Sequence, residues 1–150
     1  MTKGIGALLE ASALLQREPI EFRIVGPLRV QVPERFLNAA NIRWSGHVTN
    51  DRVREYYRDA DVFVFPSMCD GFGIVQSEAL AEKVPVIASR FCGDVVQDGV
   101  NCIRRDSVSG PSIAAVLREL AMHPERLEKL SAAATSRHWR VHDYGGALLA

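Results

Sequence analysis

The chain has 150 residues, enough for one domain with its own core. Hydrophobic residues make up 47% and charged residues 24%, a balance that excludes a disordered or fibrous chain. Lys and Arg number 18, as do Asp and Glu, so no global field gathers nucleic acid or an anionic membrane surface, and an anionic ligand has to be held locally.

Apolar residues at helical spacing (Ile5, Leu8, Leu9, Leu15) predict a helix over 4–16, and Glu21-Phe-Arg-Ile-Val25 predicts a strand stopped by Gly26-Pro27. A short helix near 33–39 and a strand over 41–45 follow. The next helix, 51–60, has Thr49 and Asn50 as N-cap candidates and carries Val53, Tyr56, Tyr57 and Ala60 on one face. Asp61-Val-Phe-Val-Phe-Pro66 is apolar at every central position, which predicts a parallel strand covered on both faces, with 62–65 at the sheet centre.

Gly71 to Gly73 then form a loop, 74–83 a helix and 85–89 a short buried strand. A loop over 90–99 leads to a strand at 101–104. Helices at 111–122 and 124–139 each carry Pro at an early position. Alternating β and α segments imply a Rossmann-like α/β fold, a parallel sheet with helices on both faces and ligands outside the carboxyl ends of its strands. The chain opens on a helix where such a sheet opens on a strand, so the usual first strand lies upstream or is supplied by another molecule.

Several residue types carry no chemistry in this pattern. Cys69, Cys92 and Cys102 are an odd set without Cys-x-x-Cys spacing and read as reduced, buried hydrophobes. His47, His123, His138 and His142 share no spacing, and Trp44 and Trp139 read as packing residues. No metal site is expected. No apolar run reaches the roughly 18 residues of a membrane span, and the opening segment lacks the layout of a signal peptide, so a cytoplasmic location is expected.

The richest segment is Pro66-Ser-Met-Cys-Asp-Gly-Phe-Gly-Ile-Val-Gln-Ser-Glu78. It sets Asp70, two glycines and Glu78 at a strand-loop-helix junction. Gly71 and Gly73 let the backbone approach a ligand, and the helix start at Ile74 offers unpaired amides to a phosphate. An ionised Glu78 can accept from vicinal hydroxyls such as those of a ribose, and Asp70 from hydroxyls of an attached sugar. Phosphate, ribose and sugar together describe a nucleotide sugar.

At these residues the chain resembles the C-terminal domain of group 1 (family 4) retaining glycosyltransferases with the GT-B fold. The resemblance runs in order through Lys3-Gly4, Phe22-Arg-Ile-Val-Gly26, Gly46-His-Val48, Ala60-Asp-Val-Phe-Val-Phe-Pro-Ser67, the Asp70 to Glu78 segment, Pro85-Val-Ile-Ala-Ser89 and Asp98-Gly99. It implies a donor-binding domain over 3–150 that uses a nucleotide-diphosphosugar, UDP- or GDP-linked, with no further cofactor. It also implies Glu78 on the ribose, Asp70, Gly71, Phe72 and Gly73 around the transferred sugar, Ile74 and Val75 amides and Lys3 on the diphosphate, and Val48 near the base. Asp70 and Lys3 are then the catalytic pair.

The family draws its acceptor site from an N-terminal domain that is absent from these residues, so transfer calls for that half in cis or from a partner, or for self-association that fills the missing strand. Four departures stand out: Asp70 for the commoner Glu, Lys83 where the family has Gly, an abbreviated 90–97 loop, and the missing opening strand with its arginine. They motivate an alternative, a non-catalytic remnant or interaction module with the same fold. A nucleotide-sugar epimerase on a related two-domain fold is a third reading, which the Asp70 to Glu78 pattern suits less well.

Overall fold

The computed structural model describes residues 4–67, 74–91, 95–107 and 109–134. Its elements alternate as the periodicities predict: α1 (Ile5–Leu14), β1 (Phe22–Val25), α2 (Glu34–Leu37), β2 (Ile42–Gly46), α3 (Asn50–Arg58), β3 (Phe63–Phe65), α4 (Ile74–Ala81), β4 (Val86–Ser89), β5 (Cys102–Arg105), α5 (Gly110–Met122) and α6 (Pro124–Ala133). The expected continuation of α6 to residue 139 lies outside the described residues, as do Cys69, Cys92, His138, Trp139 and His142.

Every described ladder is parallel. β1 pairs with β2, Phe22 opposite Ile42, while β3, β4 and β5 form a second set with Phe63 opposite Val86 and Val86 opposite Cys102. Side chains alternate across these strands. Val64, Ile87 and Ile103 join Leu9, Ile113, Leu117 and Leu120 in a cluster under α1 and α5, together with Phe22, Ile24, Ile42 and Trp44 of the first set. Phe63, Phe65, Val86, Ala88 and Cys102 pack instead with Ala79 and Leu80 of α4 and with Tyr57. The β3–β5 set is therefore covered on both faces, whereas the β1–β2 pair packs one face on this core and leaves Arg23, Val25 and Arg43 exposed.

Among the described residues no ladder joins β1 to β3. This corrects the expected position of residues 62–65. β4, buried at all four positions, is the middle strand of its set, whereas β3 stands at the end of the set with Phe63 and Val64 half-buried, because only β4 pairs with it among the described residues.

Two local geometries set the site's surroundings. Gly4 caps α1 with φ 73°, and a Cβ there would stand 2.1 Å from the Pro66 carbonyl oxygen, so the start of α1 lies directly against the carboxyl end of β3. At the other end of α4, Lys83 takes φ 62°, and the Val84 amide donates to Ala79 O while the Lys83 amide donates to Leu80 O. This is a Schellman closure with lysine in glycine's place. The departure at Lys83 leaves the helix end intact and strains one residue.

Candidate functional site

The site grows from the carboxyl ends of the strands. β3 runs out through the buried Pro66 and Ser67, where Ser89 of β4 donates its hydroxyl to Ser67 O. Val64, Pro66, Ile87, Ser89, Arg105 and Ser107 line a shallow hollow at this edge. Lys3, Asp70, Gly71, Phe72 and Gly73 lie outside the described residues. Their chain neighbours, Gly4 on one side and Ser67 and Ile74 on the other, bracket this edge of the sheet through the contact of Gly4 with Pro66.

α4 begins at Ile74, which is 64% exposed. Its first amides have no partner within the helix. Val75 is half-buried and Glu78 exposed. Gln76, on the opposite side, is fully buried, and neither polar atom of its carboxamide has a hydrogen-bond partner among the described residues. Val48 lies half-buried in the turn between β2 and α3, just before the N-cap Thr49. Thr49 makes no side-chain hydrogen bond to the helix amides. Its hydroxyl instead holds the Asp51 carboxyl below its ordinary value.

Glu78 does not stand alone on its helix face. The Tyr57 hydroxyl lies 3.2 Å from Glu78 Oε2 and 3.3 Å from Val75 O, so α3 is bound to the first turns of α4 at the candidate residues themselves. The Tyr57 ring is fixed edge-on to Phe63, centroids 5.5 Å apart. Burial, and then the neighbouring Glu78 carboxylate, push the Tyr57 phenol up, which keeps it a proton donor.

Just past the end of α4, Glu82 accepts from Arg54 at 2.7 Å and from Arg58 at 2.7 Å, and its side chain is only 9% exposed. These bonds hold the Glu82 carboxyl below its ordinary value. Val53, Arg54, Tyr57, Glu78 and Glu82 together line an open cleft of about 220 Å³. The sequence places Tyr57 on a packing face of α3, and its bond to Glu78 is missed there. The signal available is weak: a tyrosine on a face that otherwise reads as core.

Parallel strands alternating with helices, with the exposed helix start at Ile74 and a cleft between α3 and α4 that Glu78 and Glu82 line, define a Rossmann-like α/β domain. The family model for glycosyl transferases group 1 matches residues 1–122, and the chain belongs to that family. It corresponds to the family's C-terminal domain. A solved C-terminal domain of a group 1 glycosyl transferase from Francisella tularensis superposes with a TM-score of 0.75 at 22% identity, covering 89% of this chain and 76% of that one. An Anabaena protein, HepE, solved in complex with UDP, superposes with a TM-score of 0.73 at 19% identity, over 86% of this chain and 39% of that one.

Among curated relatives, the D-inositol 3-phosphate glycosyltransferase of Thermomonospora curvata is 41% identical over 91 residues, which is 59% of this chain and 21% of that protein. The protein of the same name from Nocardiopsis dassonvillei is 33% identical over 141 residues, 83% of this chain and 33% of that protein. The chain thus spans between a fifth and a third of the length of these two relatives. No helix among the described residues is long and apolar enough to cross a membrane.

Proposed function

We propose that residues 3–150 form the donor-binding half of a retaining glycosyltransferase that uses a nucleotide-diphosphosugar. The observation that carries this reading is the Glu78 carboxylate, held at 3.2 Å by Tyr57 beside the exposed start of α4 in a cleft of about 220 Å³. Such a carboxylate accepts from the vicinal hydroxyls of a ribose, and the amides of Ile74 and Val75 stand one turn away for the diphosphate. The UDP and UDP-glucose found in the solved Anabaena structures support this choice of ligand.

In this reading Val48 lies near the base, while Asp70, Gly71, Phe72 and Gly73 surround the transferred sugar. As the donor's glycosidic bond breaks, charge develops on the diphosphate. The partial positive charge of the α4 N-terminus and the Lys3 ammonium stabilise it as the diphosphate leaves. Retention of configuration requires the acceptor hydroxyl to approach on the face from which the diphosphate departs. An N-terminal half, in cis or as a partner chain, supplies the acceptor site, and a strand from it or from a second copy takes the place between β1 and β3.

Titration with UDP, GDP and ADP, free and sugar-linked, tests the reading by calorimetry. At least one binds, and Glu78→Ala weakens it by about tenfold, the worth of a charge-assisted hydrogen bond. Absence of binding by all of them at millimolar concentration overturns it. Binding that Glu78→Ala leaves unchanged favours the remnant or interaction module.

A further inference from the structure

We propose that Tyr57 is the positioning residue that makes Glu78 selective for a ribose over a 2′-deoxyribose. This inference rests on the ribose reading of Glu78 given above. A glutamate on an exposed helix face samples many rotamers, and a carboxylate that must meet two adjacent hydroxyls has to be ordered first. Immobilising such a side chain weakens binding unless the protein has already done so. The Tyr57 hydroxyl does it in advance. It stands 3.2 Å from Glu78 Oε2 and 3.3 Å from Val75 O, so one phenolic proton bridges the carboxylate and the backbone of the same helix.

The phenol is itself immobile, since its ring packs edge-on against Phe63 of β3. It also leaves the carboxylate with capacity to spare. A carboxylate offers about four lone-pair sites, and Tyr57 takes one of them on Oε2. Neither site on Oε1 is taken by a described residue, so a diol can add its two hydrogen bonds without displacing the tyrosine.

The neighbouring cations are engaged elsewhere. Arg54 lines the same cleft, yet Arg54 and Arg58 each bond Glu82 at 2.7 Å. Among the described residues Tyr57 is the only hydrogen-bond partner of Glu78. The Glu78 carboxylate is thus oriented by a neutral donor and bonds no guanidinium among the described residues, which leaves it to accept from hydroxyls.

The test compares UDP with 2′-deoxy-UDP, binding measured by calorimetry on the 150-residue chain and on Tyr57→Phe, Glu78→Ala and the double variant. Phenylalanine keeps the ring against Phe63, and a retained cooperative thermal transition shows that the fold survives. The wild-type chain is expected to prefer UDP by about tenfold, and Tyr57→Phe to lose most of that preference, to about twofold, mainly through weaker UDP binding. In the Glu78→Ala background the tyrosine substitution changes neither affinity, because there is no carboxylate left to orient.

A Tyr57→Phe chain that keeps the full preference overturns the inference while Glu78 remains the ribose residue. A Glu78→Ala chain that binds UDP as the wild type does overturns the ribose reading itself, and the inference falls with it. A purely structural role for Tyr57 is excluded when the ratio of the two ligands moves, since general loosening weakens both alike.

Discussion

Glu10 Oε2 accepts a hydrogen bond from the Gly110 amide at 3.0 Å, across one hundred residues of sequence. The carboxylate of α1 thereby sits at the N-terminus of α5, where the helix partial charge is positive and its first amides lack partners. The approach is close enough that a Cβ on Gly110 would come within 2.4 Å of the Glu10 side chain. Glu10→Ala should lower stability by about 1–2 kcal/mol, the range for a charged cap at a partly buried helix start. Urea denaturation checks it, and a midpoint unchanged at constant slope refutes it.

Lys83 carries a strain that glycine would avoid. With φ 62° in a complete Schellman closure, it holds the left-handed conformation at a cost of about 1 kcal/mol for a residue with a side chain. Lys83→Gly should raise the denaturation free energy by about that amount and leave nucleotide binding unchanged. A loss of stability would mean that the lysine side chain contributes more than its backbone costs.

Acid should loosen the contact between α3 and α4 ahead of the rest of the fold. Arg58 and then Arg54 hold the Glu82 carboxyl below its ordinary value of 4.5. A lowered folded value means that its stabilisation is present above the unfolded value and is lost as pH falls through the folded one. The near-ultraviolet signal of Tyr57 should therefore shift once pH falls below the ordinary glutamate range, before global unfolding. In Glu82→Gln that early step should be missing.

The edges of β1 and β3 give a residue-level test of how the sheet is completed. The Phe63 amide donates to Pro85 O and the Phe22 amide to Asn41 O, so the amides of Val64 and Arg23, one residue on, face away from β4 and β2. Hydrogen exchange at Val64 and Arg23 should be on the order of a hundredfold faster than at Phe63 and Phe22. An N-terminal half that fills the sheet should abolish the difference. Equal protection in the 150-residue chain would show the two edges already paired.

Much of this architecture could be read from residue order. The elements follow from the change between helical and strand periodicity, and the run Val62 to Phe65 marks a strand with two apolar faces. Position within the sheet was less legible: composition fixed β3 as apolar on both sides, whereas its half-buried residues reflect which neighbours pair with it.

Glu78 was legible as an acid near the start of α4, but its partner was not. Tyr57 sits 21 residues earlier on another helix, and its aromatic ring suits the packing face where periodicity puts it. Glu10 is hidden for the same reason, since nothing local distinguishes a helix cap supplied from one hundred residues away. Lys83 is the reverse case: its sequence argues against the glycine-type helix end that the surrounding hydrogen bonds impose.

The packing of α1 on α5 also sets an order of events during synthesis. At roughly 5–20 residues per second, a ribosome needs on the order of 5–20 s after making Glu10 to deliver Gly110, and the core beneath α1 stays open for that interval. The nascent chain passes through a stage in which Leu9 and Leu15 have no α5 to cover them. Its yield should therefore respond to translation speed and to holdase chaperones more than its final stability suggests.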